Sequence, residues 1–536
     1  MERGAELAPE ACCVEAGRTN GEEIMSEAEV PHLVQHAGNW PDRAAVVMTG
    51  DGVVLTYREL ETRSDALAGQ LAATGIRAGD HVAILMENRA EFMIAAWAAH
   101  RAGLYYTPVN WHLTSDEVSY IVQDCGARAI LSSEARRAVL DPVAAACPGV
   151  AIWLCERGGA SGFAPEHGEA PGPIAYEALE GSSMIYSSGT SGRPKGIKRV
   201  ITGAAFGALG AGDEMLRGLY AWDADAVFLN PSPLYHAGPL NFAMSTHRCG
   251  GTLVLMRDFE AVEALEAIER HRVNKAWLVP TMMIRMLKVP DRARFDTSSI
   301  THAVHTAAPC PQETKRAMIE WWGPVLYEFY AATEGNGLTA ITPQEWLAHP
   351  GSVGRSPDVR ILGEDGAVLP QGEVGVIYFA SNWTVFEYHN DAAKTAEARD
   401  SHGWTTIGDM GYLDADGYLY LTDRKTHMII AGGVNIYPQE AENVLAVHPA
   451  VEDVAVIGVP HPEYGEEVKA VVQLGAGQAA SDALAGELIA YCQSQLARYK
   501  CPRSVDFVET LPRMPNGKLL KRDLRARYWQ DATVRI

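Results

Sequence analysis

The 536-residue sequence predicts an α/β chain: a large region of parallel-rich αβ units with a β-rich stretch, followed by a smaller α+β unit. Three observations predict it. Helical and strand patterns alternate through the first half, between 351 and 420 the pattern turns to short β runs divided by Gly and Asp, and after Arg424 a mixed pattern returns. The length also exceeds what one hydrophobic core usually serves.

The alternation is clear from 56 to 131. Thr56, three residues before Glu59, forms a capping box, and Leu60, Leu67 and Leu71 then recur on one helical face until Gly75. Residues 81–86 (HVAILM) read as a buried strand, 91–100 as a helix, 105–109 as extended, 115–124 as a helix and 129–131 as a strand. Such a rhythm argues for a parallel sheet with helices on both faces. In the β-rich stretch, runs at 359–362, 374–379 and 418–421 are short. Asp414-Ala-Asp416-Gly417 lacks the remaining ligands of a calcium loop and reads as a hairpin turn. The last unit has strands near 454–459, 468–474 and 505–508 and a helix near 483–496.

Composition narrows the function. With 67 Asp+Glu against 45 Lys+Arg, the net charge of −22 disfavours nucleic acid and anionic membranes as partners. No apolar run approaches the ~18–20 residues of a membrane span. The nine cysteines lack metal spacing and fit reduced thiols in a cytoplasmic enzyme. Residues 1–23 are Glu/Ala/Gly-rich, lack an apolar signal segment and are expected to be a disordered leader.

The densest chemical signal is Tyr186-Ser-Ser-Gly-Thr-Ser-Gly-Arg-Pro-Lys-Gly196. Glycines, Gly189 among them, let the backbone approach an anion. Ser187, Ser188, Thr190 and Ser191 offer hydroxyl donors, and Lys195 offers a charge. The segment is not a Walker A loop, which ends in Gly-Lys-Ser/Thr.

On this motif and those that follow it in order, the chain resembles the AMP-forming acyl/aryl-CoA synthetases, luciferases and peptide-synthetase adenylation domains, from roughly Glu27 to Tyr528. The resemblance implies an N-terminal domain over 24–425 that binds acid and ATP and a small, mobile C-terminal domain over 426–536. Tyr330-Ala-Ala-Thr333-Glu334-Gly335 is similar to the family's Tyr-Gly-x-Thr-Glu motif, with Ala331 in the glycine place. By that likeness Tyr330 stacks on adenine, Thr333 donates to the α-phosphate and Glu334 supplies a hard oxygen to Mg²⁺. Ala307-Ala308-Pro309 stands where the family often has Gly-Gly-Ala-Pro beside adenine. Asp409 resembles the carboxylate that accepts from both ribose hydroxyls, with Arg424 assisting. Lys518, in Pro515-Asn-Gly-Lys518, resembles the lysine that reaches the carboxylate and the α-phosphate.

His236, in Pro233-Leu-Tyr-His236, resembles the histidine at the carboxylate end of an acyl pocket whose other candidates are Phe242, Ala307, Ala331, Ala332 and Gly337. Gly432 and Gly433 stand where the family's pantetheine tunnel runs, which makes CoA the expected thiol. The family's hinge, an Asp or Lys two residues after the ribose arginine, is Thr426 here. The expectation is therefore an acid–CoA ligase acting on an apolar fatty, aryl or polycyclic acid with ATP and Mg²⁺. The alternative is an adenylating enzyme with slow or separate thioester formation, or one that loads a carrier-protein pantetheine. A homodimer is carried as an open expectation.

Overall fold

The computed structural model describes residues 32–157, 162–187, 194–380, 386–424, 427–431, 434–513 and 519–529. The expected leader lies outside them. Five sheets organise the described chain.

A six-stranded sheet runs in the order Ala164–Pro165, Ala151–Leu154, Ala127–Ser132, His81–Leu85, Tyr105–Pro108, Ser182–Ser183. Its neighbours are parallel except at the Ala164–Pro165 edge. An eight-stranded sheet is parallel through Leu326–Ala331, His302–His305, Lys275–Leu278, Val227–Asn230, Thr252–Leu255 and Ala44–Met48, with an antiparallel strand at each end. The capping box holds: Glu59 N donates to Thr56 Oγ1 at 3.2 Å, and Thr56 N donates back to Glu59 Oε2 at 2.9 Å. Leu60, Leu67 and Leu71 are fully buried. The helix Ala90–Arg101 is buried except at Glu91 and His100, because it lies in one core with strands of both sheets, Val82 and Ile84 of one, Val46 and Leu253 of the other.

The β-rich stretch is a four-stranded antiparallel sheet, Val359–Leu362, Gly375–Phe379, Asp409–Leu413 and Leu419–Arg424. Asp414 makes its turn: its Oδ1 accepts from the backbone of Asp416 at 3.0 Å and of Tyr418 at 2.8 Å. The C-terminal domain is built on the long hairpin Val451–His461 and Gly465–Leu474, to which Ser504–Val508 adds in parallel. The helices Pro438–Leu445 and Asp482–Gln493 bury Leu445 and Leu488 in its core.

A small fifth sheet was not foreseen. Ile185–Ser187, Lys195–Lys198 and Glu387–Tyr388 pair antiparallel, joining segments nearly 200 residues apart. Two-residue strands carry no periodicity, and only tertiary pairing makes Glu387–Tyr388 visible. Among the described residues no helix is long and apolar enough to cross a membrane.

Candidate active site

The fifth sheet forms the phosphate end of the site. Lys195 pairs with Ser187 across the ladder, so the two roots of the Gly/Ser segment meet. Ser188, Gly189, Thr190 and Ser191 lie outside the described residues, and of Ser187 only the backbone is described. Ile197 pairs with Tyr388, which sets the Tyr388 ring 5.9 Å from Lys195 Nζ. The Tyr388 hydroxyl donates to Glu334 Oε1 at 2.8 Å. Lys195 also forms an ion pair with Asp391. That contact, with the Lys394 backbone N–H, holds the Asp391 carboxyl below its ordinary value. Lysine, tyrosine and glutamate from three distant segments thus form one connected group.

The nucleoside end is a second group. Tyr330 ends the strand Leu326–Ala331 and lies against the Phe379 ring, centroids 6.2 Å apart and planes at 28°. Its hydroxyl donates to Asp409 Oδ2 at 2.9 Å. Asp409 is buried and stands opposite Arg424 in the ladder, though only the backbone of Arg424 is described. Ala307, in the loop after His302–His305, has φ +76°. A side chain is strained there, which gives the family's glycine at this position a physical reason. Ala331, the other alanine in a family glycine place, pairs as an ordinary strand residue with Leu338.

Between the strands His302–His305 and Leu326–Ala331 and the helix Gln312–Trp322 lies a buried polar group that sequence reading missed. His305 and Glu328 are neighbours on adjacent strands. Lys315 Nζ donates to Glu328 Oε2 at 2.5 Å, and His305 Nε2 is 3.3 Å from the same oxygen. Burial would raise the Glu328 carboxyl, but His305 and Lys315 outweigh it and hold it at about 2. Burial pushes the His305 imidazole below its ordinary value, against the pull of Glu328.

The acyl end is aromatic. His236 is the N-cap residue of the helix Ala237–Cys249, its ring 4.5 Å from that of Tyr235. Phe242 meets Trp277 edge-on at 4.8 Å and lies parallel to Phe329 at 6.3 Å. Two glycines permit close packing around the rings, Gly238 at the acyl wall and Gly337 at the Phe379 ring that Tyr330 meets. A Cβ on Gly238 would come 2.2 Å from the Trp277 ring, and one on Gly337 would come 2.0 Å from Phe379.

One cavity of about 1930 Å³ joins the three ends. Its lining includes Lys195, Thr333, Glu334 and Tyr388, then Ala308, Pro309, Tyr330 and Asp409, then His236, Phe242, Ala307, Ala331, Ala332 and Gly337. The C-terminal domain supplies the opposite lip, with Glu442, Arg513, Leu519 and Lys521. Arg513 and Leu519 form a β-bridge at this lip. Lys518 itself, Thr426, Gly432 and Gly433 lie outside the described residues.

The chemistry of this donor set suits a nucleotide and an oxygen-preferring cation. Glu334, oriented by the Tyr388 hydroxyl, has the hard carboxylate oxygen that Mg²⁺ prefers. Lys195 suits phosphate charge, and the paired Tyr330 and Asp409 suit an adenine face and a cis-diol. A mixed α/β fold of this kind, with an acidic, aromatic and cationic cleft beneath a small domain, defines an enzyme that activates a carboxylic acid with ATP.

The chain belongs to the AMP-binding enzyme family, whose model matches residues 33–389, while the model of the AMP-binding enzyme C-terminal domain matches 440–518. It is similar to the long-chain-fatty-acid–CoA ligase FadD13 of Mycobacterium tuberculosis, at 33% identity over 94% of this chain and 98% of that protein. It is also similar to the fatty acid–[acyl-carrier-protein] ligase ScoC of Streptomyces coeruleorubidus, at 32% identity over 94% of this chain and 96% of that protein. Among solved structures, o-succinylbenzoate coenzyme A synthetase of Bacillus subtilis, in complex with ATP and magnesium ion, matches with a TM-score of 0.76. Its identity is 28%, over 92% of this chain and 98% of that one. The chain is an AMP-forming acid–CoA ligase that uses ATP, Mg²⁺ and CoA.

Proposed function

We propose that the enzyme takes an apolar carboxylic acid, fatty, aryl or polycyclic, and that the residues above divide its two half-reactions. One observation carries this reading: groups suited to adenine, ribose, phosphate and an apolar chain line a single cavity. The aromatic wall at Phe242, Trp277 and Phe329 favours a hydrophobic acid. Relatives named for long-chain fatty acids, feruloyl-CoA and indoleacetate support the same range.

Tyr330, Ala308 and Pro309 receive the adenine, and Asp409 with Arg424 the ribose. Ser187, Ser188, Gly189, Thr190, Ser191 and Lys195 hold the outer phosphates, and Thr333 the α-phosphate. Glu334 holds Mg²⁺, which when bound neutralises charge on the phosphate oxygens. His236 orients the carboxylate beside the α-phosphate. Lys518 stabilises the charge that develops as the carboxylate displaces pyrophosphate. The C-terminal domain, beginning near 426, then rotates about Thr426 and opens a pantetheine path along Gly432 and Gly433.

The acceptor is free CoA. A carrier-protein pantetheine is the second reading, favoured by the likeness to ScoC. A screen of acids that reads pyrophosphate and thioester separately tests both. We expect acid-dependent pyrophosphate release with at least one hydrophobic acid and thioester on CoA. No exchange with any acid overturns the activity, and thioester only on a phosphopantetheinylated carrier overturns the acceptor. Lys518→Ala is expected to abolish acyl-AMP formation while sparing thioester formation from supplied acyl-AMP. Thr426→Asp is expected to speed the second step. A cytoplasmic location and a homodimer complete the reading, checked by cell fractionation and sedimentation.

A further inference from the structure

Five arginines line the cavity, and their surroundings differ: Arg285 is exposed and Arg522 is paired with Asp523. Arg248 is held by Glu180, Nη2 to Oε2 at 2.7 Å, and Arg513 by Asp453, Nη2 to Oδ1 at 2.6 Å. Arg199 is half-buried in the same cavity and forms no ion pair with any described carboxylate. The one hydrogen bond of its guanidinium among the described residues runs from Nη2 to the Thr333 carbonyl at 3.5 Å, the long limit for such a contact. Burial depresses its pKa, the mark of a cation removed from water without a counter-charge.

A guanidinium in that condition is stabilised by whatever anion enters. Its place says which. Lys195, four residues earlier on the same extended segment, is already engaged with Asp391 at the phosphate end. Four residues of strand carry the chain about 13 Å. The backbone of Arg199 is thus carried beyond Lys195, while its guanidinium reaches the Thr333 carbonyl, on the side given above to the α-phosphate, with Tyr106 as the ionisable neighbour. The acid also faces an electrostatic obstacle: its carboxylate must approach a polyanionic nucleotide inside a protein of net charge −22. A cation without a counter-charge beside Thr333 offsets that repulsion.

Building on the function proposed above, we propose that Arg199 receives the carboxylate of the incoming acid and holds it beside the Thr333 turn before attack. The contact is made to the free carboxylate and is lost once the acyl-adenylate forms. Arg199→Met keeps length and apolar contact while removing the charge. The Tyr105 hydroxyl donates to the backbone carbonyl of Arg199, not to its side chain, so the substitution spares that link.

The test compares wild type, Arg199→Met and Arg199→Lys in pyrophosphate–ATP exchange, and measures binding of an acid and its neutral carboxamide by calorimetry with a non-hydrolysable ATP analogue. For Arg199→Met the expected result is a KM for acid raised roughly 10- to 100-fold, the worth of one charged hydrogen bond. KM for ATP and thioester formation from supplied acyl-AMP stay unchanged, and Arg199→Lys recovers part of the loss. The preference for acid over carboxamide falls toward one. An unchanged acid KM, or equal rises in the KM for acid and for ATP, overturns the proposal, the latter assigning Arg199 to the α-phosphate. Calorimetry keeps the two claims separate: absent exchange in wild type refutes the activity, whereas equal acid and carboxamide affinities refute the role of Arg199.

Discussion

The two ends of the cavity are built on opposite principles. At the nucleotide end the described polar groups meet in advance: Lys195 with Asp391, Tyr388 with Glu334, Tyr330 with Asp409. At the acyl end the walls are rings packed on rings, and Arg199, beside Thr333, pairs with no carboxylate among the described residues. A site that must receive one fixed molecule can pre-organise every group, and the fold spends three sheets doing so. A site for a variable chain needs apolar area and one point of charge recognition. Nucleotide geometry is therefore tightly constrained by partner residues, whereas acid choice rests on packing.

Breaking the nucleotide end should cost most. Glu334→Gln is expected to lower adenylation roughly 100- to 1000-fold, because the substitution removes a charge that opposes the metal. Steady-state exchange at saturating Mg²⁺ reads it, and a loss below ten-fold would place the metal elsewhere. Next comes the floor under both ends. Lys315→Met leaves Glu328 buried without its cation and should cost about 3 kcal/mol of stability in denaturant unfolding. Glu328 and Glu180 are both held at about 2, against an ordinary 4.5. For Glu180, burial opposes the shift, and His100 and Arg248 outweigh it. Carboxyls depressed in the folded state stabilise it above the ordinary value, so stability should fall as pH drops from 4.5 toward 2. Glu328→Gln should flatten that acid limb, and an unchanged limb would remove Glu328 from the account.

Finer changes sharpen the contrast. Tyr388→Phe deletes the hydroxyl that orients Glu334 and should raise the Mg²⁺ requirement about ten-fold while leaving the KM for acid alone. Equal effects on both would show that the two ends are not separable. Ala307→Gly should relieve the left-handed strain and raise stability by about 0.5–1 kcal/mol. A loss of stability would mean that the Ala307 methyl packs usefully in the pocket wall.

The same contrast explains what the sequence made legible. Elements with a period were visible: the capping box at Thr56, the leucine face of the helix it starts, the buried strand at 81–85 and the Asp414 turn all stand where their patterns place them. Motif residues carrying dense local chemistry, Lys195, Glu334 and Asp409, were visible as candidates, and the fold brings them to one cavity. Their partners were not. Tyr388 and Asp391 reach Lys195 from almost 200 residues away, through a strand of two residues. Lys315, Glu328 and His305 look like ordinary surface and strand residues until folding buries them together. Arg199 follows the phosphate motif without belonging to it. Pairings made by tertiary contact leave no local signature, and the acyl wall consists of little else.

The most direct measurement is a crystal structure with a non-hydrolysable acyl-sulfamoyl adenosine. The adenosine is expected between Tyr330 and Asp409, the sulfamate near Thr333 and the acyl group running past His236 toward Phe242. An analogue bound with its adenosine away from Tyr330 and Asp409, or with its chain outside the aromatic wall, would contradict that arrangement.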